Sequence, residues 1–126
     1  MTKPYTVSFD AEVNVVRVRV IGSATHEDHC AVRDEAIKLC ESNTCLKLLI
    51  DLRKLSTERS STMSCFLFGE NLAKAPLRLR IAHVLPTDTK SAEDVRFTSS
   101  VESNRGKITG EFHNIKEAEQ WLLGEQ

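Results

Sequence analysis

Glycine is scarce in this chain, five in 126 residues, and none sits in a phosphate-cradling pattern. Backbone that wraps a pyrophosphate needs closely spaced glycines, so both common nucleotide loops are excluded. The H-E-x-x-H pattern of zinc peptidases and the G-x-S-x-G elbow of serine hydrolases are missing too. No apolar run approaches the roughly 20 residues that span a bilayer as a helix. Neither sign of charge dominates: 17 basic residues face 18 acidic ones, a formal net charge of −1. Such a chain has no long-range field for nucleic acid or an anionic membrane. One tryptophan, one tyrosine and five phenylalanines are mostly needed for a core, which leaves no stacking platform for single strands. The four cysteines, Cys30, Cys40, Cys45 and Cys65, form no C-x-x-C pair. Each sits beside apolar neighbours, as a small core filler does. Met1-Thr2-Lys3-Pro4-Tyr5 has no apolar signal core. The expectation is a cytoplasmic protein with no metal and no cofactor.

What is present points to one α/β domain over residues 1–126. Its centre is Leu46-Lys47-Leu48-Leu49-Ile50-Asp51-Leu52, nearly all apolar and ending near an acid. A short run that is apolar on both alternating faces reads as a central strand covered on both sides. Open α/β sheets place their sites beyond the carboxyl ends of such strands, so Asp51 to Leu67 is the first place to look. There the chain has Arg53-Lys54, read as the start of the exit loop, and the hydroxyl-rich Ser56-Thr57-Glu58-Arg59-Ser60-Ser61-Thr62.

Tyr5–Phe9 and Val13–Ile21 alternate apolar and polar residues and are close enough for an antiparallel hairpin. Arg17 and Arg19 share one face, read as a solvated edge or a contact for an acidic partner. Thr25-x-x-Asp28 resembles a capping box, and a helix to about Glu41 follows. Its apolar face carries Cys30, Val32, Ala36, Ile37, Leu39 and Cys40. His29 and Arg33 intrude on that face, as rim side chains or as a small polar patch. His26, His29 and Cys30 are too few for a metal centre. A second helix is read over Met63–Ala75, with Ser60 or Ser61 as its cap. Cys65, Phe66, Phe68 and Leu72 crowd one side, while Met63 and Leu67 fall on the other. A helix apolar nearly all round needs a second cover: a subunit, a partner or an apolar ligand. Leu77–Leu85 reads as a buried strand with His83 as a hydrogen-bonded core histidine. A weakly amphipathic helix to about Ser103 follows. A strand over Lys107–His113 and a helix capped by Asn114 close the chain.

The resulting order is ββαβαβαβα: a mixed sheet of about five strands, mostly parallel, with an N-terminal antiparallel hairpin and about four helices. That order, Leu48-Leu49-Ile50-Asp51-Leu52 before a hydroxyl loop, and the ending Phe112…Glu117-Ala118-Glu119-Gln120-Trp121-Leu122 resemble the STAS superfamily. These are the sulfate transporter and anti-sigma-factor antagonist domains, and the likeness is to their SpoIIAA-like bacterial branch. It covers essentially the whole chain. The resemblance implies a non-enzymatic regulatory or binding domain. In anti-sigma-factor antagonists the corresponding loop carries Asp-Ser-Ser-Gly and its second serine is phosphorylated. That serine corresponds to Ser61 and the first to Ser60. The motif's acid is Arg59 here and its glycine Thr62, which argues against the same phospho-switch.

The expected function is therefore a non-catalytic interaction module, with a protein partner or a second copy bound through Thr62, Met63, Phe66 and Leu67. His29 and Arg33 are further candidates. The alternative is a carrier or sensor of a lipid-like or other small apolar ligand held between helices and sheet. A hydrolase built on Ser60 or Ser61 with a histidine is the third and weakest reading.

Overall fold

The computed structural model describes residues 4–22, 25–56, 74 and 77–124, the side chain of residue 26 excepted. Within them lie strands β1 (Tyr5–Asp10), β2 (Val15–Gly22), β3 (Lys47–Leu55), β4 (Arg80–Val84) and β5 (Ile108–Phe112). Helices α1 (His26–Ser42), α2 (Thr89–Asn104) and α3 (Ile115–Leu122) complete the described elements. The helix expected over Met63–Ala75 lies outside the described residues, Lys74 excepted.

The strands form one sheet in the order β1-β2-β3-β4-β5, so Leu48 to Asp51 do lie at its centre. β1 and β2 pair antiparallel; every later pair is parallel. This is the expected mixed α/β sheet with an N-terminal hairpin. The hairpin turn is longer than expected because Asn14 takes a left-handed φ of 57°, a conformation a short amide side chain tolerates. β3 is also longer than expected: Arg53-Lys54 continue the strand rather than leave it. Lys54 and Leu55 pair with Ile21 and Gly22 beyond a register shift, and Ser56 N–H donates to the Gly22 carbonyl. The ladder therefore satisfies backbone groups that a loop would have left to water. β2 lies between two strands, so Arg17 and Arg19 are on a sheet face and not at an edge.

Local sequence sets the helix ends as expected. Thr25 and Asp28 form a reciprocal capping box on α1. Asp88 accepts from Ser91 N–H to start α2, and Asn114 accepts from Glu117 N–H to start α3. Gly106, at a φ of 99°, follows the end of α2 where a side chain would be strained.

Period-two alternation divides the core into two clusters. On one face Val16, Val18, Val20, Leu48, Ile50 and Ile81 pack with Val32, Ala36 and Cys40 of α1. On the other, Val15, Leu49, Ala82 and Val84 pack with Ala118 and Leu122 of α3. Gly110 permits that second layer to close, because a Cβ there would lie 3.0 Å from the Phe112 ring and 3.3 Å from Trp121. Cys40 and Cys45 are buried thiols, and burial pushes the Cys40 thiol up to about 12, which makes it a filler and not a nucleophile.

Two isoleucines of the sheet calibrate this core. Ile81 is fully buried in β4, whereas Ile108 in β5 is 55% exposed. Ile81→Ala is expected to cost about 2–5 kcal/mol in urea unfolding. Ile108→Ala should stay within about 0.5 kcal/mol of the parent.

Candidate functional site

The face that α3 covers is divided between two chemistries. One rung across the strands reads Thr6, Arg19, Asp51, Val84, Phe112; the next reads Ser8, Arg17, Leu49, Ala82, Gly110. The β4–β5 half is apolar and lies under α3. The β1–β2 half, with Asp51 of β3, is polar. Only eight residues long, α3 packs on β3, β4 and β5. Among the described residues α3 reaches the polar half by its margin, through Glu119 and Ile115. A groove of about 200 Å³ runs there, lined by Thr6, Ser8, Arg17, Arg19, Asp51 and Ile115 among others.

Its charges are held in fixed places. Arg17 donates through Nε to Asp10 at 3.1 Å and through Nη2 to Glu119 of α3 at 2.6 Å. Partial burial works against the Arg17 charge, but these two carboxylates outweigh it and hold its pKa up. Asp51 accepts both arms of the Arg53 guanidinium at 2.9 Å each and the Arg53 N–H at 3.2 Å. Burial pushes the Asp51 carboxyl up, and the bonds from Arg53 overcome that and hold it below the usual range. Arg19 is the loosest of the three arginines: 3.9 Å from Asp51, with its side chain 46% exposed. The groove thus presents a half-exposed guanidinium beside a buried, doubly bonded acid, flanked by two hydroxyls. That is a surface for hydrogen-bonded polar contact.

A second polar cluster lies on the opposite face, under α2. His83 and Glu111 are paired across β4 and β5, and both project towards that helix. Glu102 of α2 brings Oε1 to 3.2 Å from His83 Nε2. The histidine is 2% exposed and the glutamate 0%. Ser99 of α2 donates to Glu111 at 2.5 Å. Burial opposes charge on His83, yet Glu102, the Gly110 backbone and Glu111 outweigh it and raise its pKa. His83 is thus a core histidine, as expected, and its buried polar partner is the Glu102 carboxylate. Both groups are closed to solvent.

The other sequence candidates divide as follows. Ser60, Ser61, Thr62, Met63, Phe66 and Leu67 lie outside the described residues. His29 and Arg33 are half-buried on α1, and Arg33 Nε pairs with its neighbour Asp34 at 3.1 Å. α1 packs on the other face of the sheet, so neither residue reaches the groove. Among the described residues no group of three or more His, Cys, Asp or Glu side chains is placed to hold a metal. No described helix is long and apolar enough to cross a membrane. Sequence reading missed Asp10, Glu119, Glu102 and Glu111. Strand alternation offered a signal for Thr6 and Ser8 beside Arg17 and Arg19, but nothing local marks Glu119 or Glu102 as partners of distant strands.

No protein-family model matches the chain, and no curated protein sequence does. Among solved structures it is similar to an uncharacterized DUF3478-family protein from Shewanella loihica PV-4, described as having a SpoIIAA-like fold. The TM-score is 0.59 at 14% identity, over 97% of this chain and 96% of that one. The chain has a SpoIIAA-like fold. In SpoIIAA-like terms, the polar groove lies on the sheet face that carries the short C-terminal helix α3.

Asp51→Asn isolates the buried acid. It keeps the shape and removes the charge that Arg53 and Arg19 share. Because the Asp51 pKa is depressed, its stabilisation is full above the ordinary value of 3.8 and fades as pH falls through the lower folded value. The variant should be about 1–3 kcal/mol less stable at neutral pH. That deficit should shrink in denaturant titrations carried below the ordinary carboxylate range.

Proposed function

We propose that the chain is a non-catalytic, cytoplasmic regulatory module that acts by protein–protein contact, with a second copy of itself or another polypeptide as partner. The open polar half-face of the sheet is the observation that carries this reading. Arg17, Arg19 and Arg53 offset Asp10, Asp51 and Glu119 one for one, so the face has no net charge and suits a partner of mixed charge. Such pre-positioned groups limit the ordering cost of association. The SpoIIAA-like fold agrees with a regulatory role without fixing it.

In this proposal the contact extends from Arg19 and Arg53 into the segment that leaves β3. Thr62, Met63, Phe66 and Leu67 supply the apolar anchors, and Ser60 or Ser61 is the residue a kinase would modify. Ser60 follows Ser56 by four residues, a reach of at most about 14 Å. Five of the eight residues that line the groove are charged or carry a hydroxyl, beside Val18, Leu49 and Ile115, which favours this contact over the carrier of an apolar ligand.

Two variants test the contact, with native mass spectrometry of protein purified from its own host and sedimentation across concentration. Met63→Asp with Leu67→Asp should weaken association by more than about tenfold, as loss of an apolar hot spot does. Arg19→Ala should weaken it without altering thermal stability, since Arg19 is half exposed. Association unchanged in both variants would reject the proposed surface. A co-purifying small apolar mass would favour the carrier instead.

A further inference from the structure

α2 is docked unlike the other two helices. α1 and α3 meet the sheet through valine, leucine, alanine and cysteine. The buried residues of α2 are Ser91, Ala92, Val95, Thr98, Ser99, Val101 and Glu102, mostly polar or small. The strands beneath answer in kind. Val18 and Ile50 give way, along the same rung, to His83 and Glu111. Val95 alone of α2 joins the apolar cluster on that side, so the hydrophobic effect contributes less here than under α1 and α3 and specific polar contacts carry more of the docking.

We propose that α2 is a latched helix, held on β4 and β5 by the His83–Glu102 and Ser99–Glu111 contacts, and that it undocks as a unit when His83 loses its proton and leaves the Glu102 carboxylate without a counter-charge. The proposal goes beyond the interaction surface above, because it concerns the opposite face of the sheet. Within the described residues, the charged groups facing the latch are Glu102 on α2, Glu111 on β5 and Lys107 just before β5. β3 contributes Ile50, which is uncharged. Removing the proton from His83 leaves the Glu102 carboxylate buried beside a neutral ring, with its counter-charge gone. One broken partner of a buried pair is a costly arrangement, and undocking relieves it by returning Glu102 to water.

The sign follows from the raised His83 pKa. The latch is fully present below the ordinary histidine value of 6.5 and is lost as pH rises through the docked value. Between those two values the ratio of docked to undocked helix falls by about tenfold per pH unit, for one proton. Lys107 acts in the other direction. Burial depresses its pKa, so its deprotonation favours the docked state and does not mimic release.

Hydrogen exchange read by mass spectrometry on the full chain tests this, from about pH 6 to about pH 9, with each rate corrected for intrinsic exchange. Protection over residues 89–104 should fall with pH while residues 26–42 and 115–122 keep theirs. The conservative Glu102→Gln variant should lose that pH dependence. A flat profile over α2, a fall shared equally by all three helices, or a slope that survives in Glu102→Gln would each overturn the latch. Nitrogen NMR of the His83 ring in the unaltered protein supplies a test independent of any variant. Protons on both ring nitrogens near pH 6, with one lost as α2 protection falls, support the latch; a singly protonated ring there overturns it.

Discussion

The structure depends on one constraint: β3 is the middle strand of five and is covered on both sides. Every residue from Leu48 to Leu52 is therefore committed to one of two layers. Leu48, Ile50 and Leu52 enter the layer under α1, and Leu49 enters the layer under α3. Asp51 is the exception, buried at 8% exposure with no apolar role. A lone carboxylate there would be costly, and the Arg53 guanidinium two residues on is what makes it tolerable. The same pairing favours extension of β3 through Arg53, because residues two apart share a face only in a strand.

From that strand the two faces diverge in opposite senses. On the α1 side the sheet is apolar across β1–β3 and at Ile81 of β4 with its flanking Leu79 and Leu85, and His83 and Glu111 form a polar pair set into that face at β4–β5. On the α3 side it is polar at β1–β2 and apolar at β4–β5. The two polar regions therefore lie on opposite faces and towards opposite edges of the sheet. A small domain gains from this arrangement. Every strand keeps one apolar face for cohesion, and polar chemistry is still offered in two separate places.

Much of this was legible in the chain. Alternation in Val16-Arg17-Val18-Arg19-Val20 and the apolar run after Leu46 located the hairpin and the central strand, and the caps at Thr25 and Asn114 placed two helix starts. Strand ends were less legible, because Arg53-Lys54 look like a loop until their pairing with Ile21 and Gly22 is known. His83 was visible as a histidine on an apolar face, yet its partner was not. Glu102 sits in a helix of weak amphipathicity, where nothing in the local pattern separates a buried glutamate from a solvated one. The groove was half legible for the same reason. Its hydroxyls and arginines follow strand period, whereas Glu119 reaches Arg17 from 102 positions away. Partners that meet only through tertiary packing leave no periodic trace.

The buried pair also bears on why α2 is polar at all. A buried ion pair is seldom the most stabilising choice, since well-packed apolar residues of similar volume often do as well or better. The chain uses apolar packing freely elsewhere, with Ala118 and Leu122 of α3 fully buried against Ala82 and Val84. An apolar replacement at the two buried positions, 83 and 102, would anchor α2 without a buried charge. What it would remove is the dependence of docking on one proton. On the latch reading, that dependence separates α2 from the rest of the fold. β4 and β5 remain anchored from their other side by α3, so the sheet and its polar groove survive when α2 leaves. On the two proposals together, the polar regions work independently, one as the contact surface and the other as a proton-sensitive hold on a single helix.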